Sequence, residues 1–153
     1  VAADPAGASI YEANAAKYTS EIEALDVEIT AQIAQLTNKK LVTNHDAFGY
    51  YVDHFGLEFV GSIIPSFETS AEVSASELAD LVDKIKAQGV KAVFSESSLP
   101  SKVAKTIAKE AGVKVVEGEG ALYGDGLGTA KSPGATYLGM MRHNTATIVD
   151  NLK

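Results

Sequence analysis

Hydrophobic residues near the start of the chain recur at intervals of three and four, which is the spacing of one helix face. The run comprises Ile22, Leu25, Ile29, Ile33 and Leu36. Asp4 and Pro5 precede it in the order typical of a helix start, with aspartate as the cap and proline in the first turn. The pattern predicts a helix of about 30 residues, or roughly 45 Å. Such a helix either packs on the core while its first turns project, or connects this part of the chain to a second lobe. We favour the second interpretation.

After residue 39, short runs of apolar and β-branched residues alternate with helical patterns. The predicted strands cover residues 41–43, 58–64, 91–94 and 113–116. Helices are predicted over residues 47–55, from Ser74 to Gly89, from Pro100 to Gly112, and from Pro133 to Lys153. We expect Asn44 or Asp46 to cap the first of these helices, a capping box of Ser74 and Glu77 to begin the second, and Val103 to face inward on the third. This repeated order predicts a parallel sheet with right-handed crossovers and helices on both faces. We therefore expect an α/β fold, in which a four-stranded parallel sheet flanked by helices (residues 40–153) follows the long connecting helix (residues 1–39).

Polar residues follow each predicted strand where the chain enters the next connection. They are His45, Glu68, Glu96 and Asp125. The strand-to-helix connections of a parallel sheet all emerge at one edge, and this edge is where ligands of open α/β folds bind. An imidazole with carboxylates is a plausible partial shell for a divalent cation. Helix N-termini at the same edge oppose a cation, so the carboxylates must outweigh the helix dipoles.

Three of these residues, His45, Glu96 and Asp125, also have a simpler structural role open to them. A single histidine such as His45, at a strand–helix junction, is more often a hydrogen-bonding residue than a metal ligand. Asp125 lies between two glycines and can form an ordinary Asp-Gly turn. Glu96 can cap the helix that Pro100 opens. The other two histidines, His54 and His143, are interpreted as surface or structural residues.

The composition of the chain restricts which ligands and binding partners it can have. The chain has 153 residues, a net charge of −7 and no cysteine. The acidic balance argues against nucleic-acid binding, which requires a basic face. The absence of cysteine excludes disulfides and thiolate metal sites, so any metal must be held by histidine and carboxylate groups. No apolar run approaches the roughly 20 residues of a membrane span.

No nucleotide or hydrolase motif is present. The segment from Gly124 to Gly128 is not a dinucleotide fingerprint because position 129 is threonine, and there is neither a Walker motif nor a G-x-S-x-G elbow. Two alternatives to a binding module stay open. One is a metal-dependent hydrolase with His45 and Asp125 as ligands and Glu96 as general base. The other is a surface adhesin on the same fold.

Several sequence pieces, in order along the chain, carry a resemblance to a known family. They are Asp4-Pro5, Asn44-His45-Asp46-Ala47-Phe48-Gly49-Tyr50, Phe55-Gly56-Leu57, Phe94-Ser95-Glu96, Tyr137-Leu138-Gly139-Met140-Met141 and Asn144. On these pieces the chain resembles the C-terminal lobe of the zinc- and manganese-specific solute-binding proteins of bacterial ABC importers. The resemblance implies two α/β lobes joined by a rigid helix, with a metal ion between them and no enzymatic activity.

The resemblance also implies roles for individual residues. His45 occupies the third ligand position of the family. Asp125 matches the carboxylate that supplies the fourth ligand, or approaches the ion, in many members, whereas Glu96 is expected at most behind the ligands. A histidine at the third position resembles the zinc branch, so Zn(II) is the expected cargo and Mn(II) the less favoured one, with no organic cofactor. The expected partners are a membrane permease and an N-terminal lobe that supplies two further histidines and that this chain lacks. The expected location is periplasmic or extracytoplasmic, with a lipid anchor as one possible attachment.

Overall fold

The computed structural model describes all 153 residues and contains five α-helices and four β-strands. The helices are α1 (Ala8–Ala34), α2 (Gly49–Phe55), α3 (Ala75–Gln88), α4 (Lys102–Ala111) and α5 (Tyr137–Leu152). The strands are β1 (Lys40–His45), β2 (Glu58–Ile64), β3 (Ala92–Phe94) and β4 (Lys114–Val116). Short 3₁₀ turns cover Pro5–Gly7 and Gly118–Gly120. The predicted α/β class and the order of its elements are confirmed.

The four strands form one parallel sheet in the order β2-β1-β3-β4. β1 is therefore a central strand, with β2 on one side and β3 on the other. The chain leaves β1 for β2 and then crosses back over β1 to reach β3. This reversal makes the gap between the ends of β1 and β3 the topological switch point of the sheet, the place where open α/β folds bind ligands.

The two faces of the sheet bury separate hydrophobic cores. Leu41 and Phe94 point into a core that α1, α2 and α5 cover. Val42 and Val93, the neighbouring residues on the same strands, point into a core that α3 and α4 cover. Successive side chains of a strand face opposite sides, so apolar residues at adjacent positions are expected wherever helices cover both faces.

Helix α1 packs only along its C-terminal half. Its buried residues are Leu25, Ile29 and Ile33, which lie on one face and contact the core. Upstream of Leu25 no residue of α1 is buried, and Tyr11 and Tyr18 are exposed. Asp4 begins the segment as predicted, because its side chain accepts a hydrogen bond from the Gly7 N–H. The first turns of the helix therefore project from the domain.

Three local expectations were wrong. Neither Asn44 nor Asp46 caps α2, which begins at Gly49 after Phe48 without a side-chain cap. Val103 is exposed because Ala104, Ile107 and Ala108 form the buried stripe of α4. The last helix does not begin at Pro133.

That proline instead lies in a turn in which Ala135 N–H donates to the Ser132 carbonyl. Helix α5 starts only after Thr136, whose hydroxyl accepts a hydrogen bond from the Gly139 N–H. None of the five helices is both long and apolar enough to cross a membrane.

Helix α3 carries the capping box that its sequence predicts. The Ser74 hydroxyl accepts from the Glu77 N–H at 3.3 Å, and the Glu77 carboxylate accepts from the Ser74 N–H at 2.8 Å. Hydrogen bonds from Ser74 lower the pKa of Glu77. The box is therefore intact at neutral pH and is lost as the pH falls through that pKa. At its other end the helix stops at Gly89, whose left-handed backbone suits glycine.

We predict that Ser74→Ala lowers the free energy of unfolding by about 1 kcal/mol, because the first turn of α3 loses its cap. Urea unfolding followed by circular dichroism measures this change. Ser70→Ala is the matched control, since Ser70 is an exposed serine in the preceding loop that makes no side-chain hydrogen bond. Equal stability of the two variants would show that the cap contributes nothing.

Candidate metal site

His45 is the last residue of β1 and its side chain is buried at the switch point. It pairs with Ile64 on one side, while Thr43 of the same strand pairs with Phe94 on the other. Asp46 and Ala47 continue into a turn in which the Ala47 N–H donates to the His45 carbonyl. The imidazole therefore stands on the rigid end of a central strand rather than on a loop.

Glu96 lies directly beside His45, although 51 positions separate them in the chain. It follows β3 and is only 2% exposed. Its Oε1 accepts a hydrogen bond from the His45 backbone N–H at 2.9 Å. Its Oε2 lies 2.7 Å from the ring Nδ1, an ion-pair distance, at an angle that departs from an aligned hydrogen bond. Both oxygens of this carboxylate are therefore directed at one histidine.

Asp125 contacts the other side of the imidazole ring. Its Oδ1 lies 3.1 Å from His45 Nε2, and its side chain is 53% exposed. The loop after β4 brings it there, first pairing Leu122 with Glu96 in a parallel bridge and then turning across the end of β1. His45 thus has a buried carboxylate at Nδ1 and a solvent-facing carboxylate at Nε2.

Gly124 is the point of closest approach between this loop and the pair beneath it. A Cβ built at Gly124 would collide with Glu96 Oε2 and lie 3.3 Å from His45 Cε1. Only glycine lets the backbone cross here without displacing Glu96. This close packing explains why the residue before Asp125 is a glycine.

Burial and the neighbouring carboxylates act in opposite directions on the pKa of His45. Burial by itself lowers the pKa of His45, but the carboxylates of Glu96 and Asp125 more than offset burial and raise it. Burial also raises the pKa of Glu96, while hydrogen bonds from His45 act in the opposite direction. A metal ion at Nε2 would take the place of the proton there and face the Asp125 carboxylate, while Glu96 stays beside Nδ1.

The structure brings together three of the four carboxyl-edge residues that the sequence singled out. Glu68 does not join them, since it follows the edge strand β2 and is exposed. His54 is a surface residue paired with Asp26 of α1, and its side chain is 61% exposed. His143 is a half-buried residue whose Nε2 contacts the Ala121 carbonyl oxygen at 3.0 Å.

Asn144 is a residue of this site to which the sequence analysis assigned no role. It is buried in the middle of α5, where its amide oxygen accepts from the Tyr123 N–H and its amide nitrogen donates to the Tyr123 carbonyl. The one local signal is that asparagine is unfavourable inside a helix unless its side chain has a partner. That signal does not identify the partner.

A mostly apolar groove of about 530 Å³ lies beside the site, between α1, α2 and α5. Its lining includes Tyr51, Phe55, Met141 and, at its border with the site, Gly124. Neither His45 nor Asp125 lines it. No group of three or more histidine, aspartate or glutamate side chains in the chain could hold a metal ion by itself. His45 and Asp125 therefore form at most part of a metal shell.

Comparison with known sequences identifies the family. The family described as "ZnuA: Zinc-uptake complex component A periplasmic" matches residues 1–151. The manganese-binding lipoprotein MntA of Bacillus subtilis (strain 168) is 35% identical over 97% of this chain and 49% of its own length. The zinc-binding protein TroA of Treponema pallidum (strain Nichols) is 35% identical over 86% of this chain and 44% of its own length. The chain thus spans about half the length of these relatives.

Solved structures agree with the sequence comparison. The manganese-bound periplasmic metal-binding protein of Candidatus Liberibacter asiaticus superposes with a TM-score of 0.85 at 27% identity, covering 99% of this chain and 55% of the other. A TroA structure gives a TM-score of 0.88 at 28% identity, covering 97% and 56%. The matched family is a zinc-uptake component and not an enzyme. The hydrolase alternative also required Glu96 as general base, but its carboxylate is buried and turned onto His45.

The family match over nearly the whole chain and the identities above 30% agree with the resemblance drawn from the sequence pieces. The chain therefore belongs to the ZnuA family, the zinc- and manganese-specific solute-binding proteins of bacterial ABC importers.

Proposed function

We propose that this chain is the lobe of a zinc-capturing protein that holds Zn(II) with His45 and Asp125 and presents it to a membrane permease. In this proposal His45 coordinates the ion through Nε2 and Asp125 coordinates it through Oδ1. Glu96 stays behind the histidine and orients it. The cargo is an ion in transit, so the site has no catalytic step.

The separation of the two donor atoms carries this proposal. Zinc binds imidazole nitrogen and carboxylate oxygen at about 2.0–2.2 Å, and a tetrahedral angle then places two such donors about 3.3–3.6 Å apart. His45 Nε2 and Asp125 Oδ1 are 3.1 Å apart. A shift of a few tenths of an ångström, on a side chain that is half exposed, would admit the ion.

The position of Glu96 supports the same proposal. Histidines that bind metals usually give their second ring nitrogen to a carboxylate or carbonyl, which fixes the ring and makes the first nitrogen a better donor. Glu96 Oε2, 2.7 Å from Nδ1, has this position. The contact directs Nε2 towards Asp125 and away from the core.

Zinc is the proposed cargo because the central donor is an imidazole. Imidazole suits Zn(II), whereas Mn(II) prefers carboxylate, carbonyl and water oxygens. The matched relatives include both zinc-binding and manganese-binding proteins, so family membership alone leaves the metal open. The donor set of this chain is the reason for preferring zinc.

A four-coordinate site needs donors beyond these two. We propose that a preceding lobe of the same protein supplies them, that residues 1–39 connect the two lobes, and that residues 40–153 form the lobe described here. The projecting turns of α1 favour this arrangement, because a helix used only for core packing would not extend beyond its buried half. The proposed location is extracytoplasmic, either periplasmic or lipid-anchored.

We predict that His45→Ala weakens zinc binding by more than about 100-fold, beyond the range found when only a residue behind a ligand is lost. Competition titration of the protein at its full natural length against a chromogenic chelator measures the affinity. His54→Ala is the control, since that exposed histidine pairs with Asp26 away from the site. Undiminished zinc affinity of His45→Ala would contradict the proposal.

We predict that Glu96→Gln weakens zinc binding by about 10–100-fold, because the amide keeps the side-chain shape but not the charge that holds the ring. The same titration gives the value. Glu119→Gln is the matched control, as it removes one charge from an exposed glutamate in the β4–α5 connection. Similar affinities for the two variants would show that the Glu96 carboxylate has no part in binding.

We predict that His45→Glu lowers the ratio of zinc to manganese affinity by at least about tenfold, because a carboxylate replaces the imidazole that favours zinc. Parallel titrations with the two metals give the ratio. His54→Glu places the same charge on the nearby surface and should leave the ratio unchanged. An unaltered ratio in His45→Glu would remove the argument for zinc.

A further inference from the structure

The backbone of the segment that carries Asp125 is joined to other backbone groups by hydrogen bonds only at the two ends of the segment, Leu122 and Gly128. Leu122 is the last residue paired in the manner of a sheet, donating to the Ser95 carbonyl at 2.9 Å and accepting from the Ser97 N–H at 2.8 Å. Residues 124–127 then make no backbone–backbone hydrogen bond. The next one joins Gly128 N–H to the Gly134 carbonyl at 2.8 Å. Asp125 lies in the unsupported span between these ends.

Asn144 of α5 holds the one residue between the end of the sheet pairing and that span. Its Oδ1 accepts a hydrogen bond from the Tyr123 N–H at 2.9 Å. Its Nδ2 donates to the Tyr123 carbonyl, also at 2.9 Å. No other group bonds the Tyr123 backbone, so the side chain does what a neighbouring strand would do. The asparagine is 2% exposed and forms part of the helix packed on the sheet.

The ring of Tyr123 strengthens this attachment. It packs edge-on against the His143 ring, with centroids 5.1 Å apart. It also lies against two glycines of the following loop, where an added Cβ would come within 2.6 Å of it at Gly134 and 2.8 Å at Gly128. Tyr123 is therefore fixed through its backbone by Asn144 and through its ring by α5 and the returning loop.

Chain geometry then determines where Asp125 can lie. Consecutive Cα atoms are 3.8 Å apart, so the Asp125 Cα stays within about 7 Å of the Tyr123 Cα. Without the Asn144 bonds the nearest residue held by backbone hydrogen bonds is Leu122, and the limit grows to about 10 Å. That difference exceeds the few tenths of an ångström that separate the observed donor distance from a zinc-binding one.

We infer that Asn144 is a positioning residue for metal binding: it holds the Tyr123 backbone and thereby keeps Asp125 within reach of an ion on His45. It donates no atom to the ion. The inference rests on the proposed function, because it requires Asp125 to be a ligand. Its measurable content is that the effect of Asn144 on affinity passes through Asp125.

The first test compares two asparagines of the same helix. Asn144→Leu keeps the approximate volume and removes both bonds to Tyr123, while Asn151→Leu makes the same change at the far end of α5, where Asn151 bonds only the Thr147 carbonyl. Zinc affinity is measured by chelator competition, and zinc release by mixing with excess chelator, in the protein at its full natural length. We expect Asn144→Leu to bind about 10–100-fold more weakly, mainly through faster release, and Asn151→Leu to bind normally.

A double-mutant cycle with Asp125→Ala separates positioning from a general loss of structure. If Asn144 acts through Asp125, adding Asn144→Leu to Asp125→Ala lowers the affinity no further. A loss of the same size in both backgrounds would overturn the inference, as would an unchanged affinity in Asn144→Leu alone. If Asn144→Leu fails to fold, Asn144→Ser takes its place in the same cycle, because serine removes the amide without introducing a large apolar side chain.

The outcomes also separate this inference from the proposed function. An unchanged affinity in Asp125→Ala, together with a large loss in His45→Ala, would overturn the role of Asn144 and leave His45 as a ligand. An unchanged affinity in His45→Ala would remove the site itself. Normal binding by all three variants of His45, Asp125 and Asn144 would overturn both.

Discussion

The carboxylate of Glu96, buried against His45, is the constraint that the rest of the site depends on. Burying a carboxylate is costly unless it is paired and hydrogen-bonded. Here the His45 N–H and ring supply those partners, and both residues stand at the ends of adjacent strands. Breaking such a pair leaves an uncompensated group, but the intact pair adds little stability. The effect of the pair is to fix the orientation of the His45 ring. Because β1 and β3 are adjacent, Glu96 contacts Nδ1, and Nε2 therefore points towards Asp125.

The two sides of the imidazole differ in rigidity, and this difference follows from the fold. Nδ1 faces a side chain held by the sheet, while Nε2 faces Asp125 on a span without backbone hydrogen bonds of its own. Gly124 allows that span to cross directly over Glu96 because it has no side chain. Helix α5 contacts the span through Asn144 at its start. A rigid donor and an adjustable donor are thus placed together by elements distant in sequence.

Local patterns predicted most of the fold because local forces determine it. The bounds of β2, the capping box at Ser74 and the left-handed helix ends at Gly89 and Gly112 follow from residues within a few positions of each other. The convergence of His45, Glu96 and Asp125 was also predictable, since parallel strands all end at one edge. The role of Asn144 was not predictable, because its partner is the backbone of Tyr123 and every residue has the same backbone groups. The sequence also could not show which nitrogen of His45 faces Glu96, because that depends on how the two side chains pack.

A protein that captures an ion must also release it, and the geometry indicates which side of the proposed site gives way. Within this lobe His45 is fixed by Glu96, and Asn144 holds the Tyr123 backbone two residues before Asp125, so the adjustable Asp125 side chain can move only over a short distance. If zinc binds as proposed, two donors alone would leave the ion short of its usual four, and its affinity for this lobe alone would be low. Release would then require only that the donors of the proposed second lobe move away. The projecting half of α1 is the element that would transmit such a movement, because it lies outside the core that holds the site.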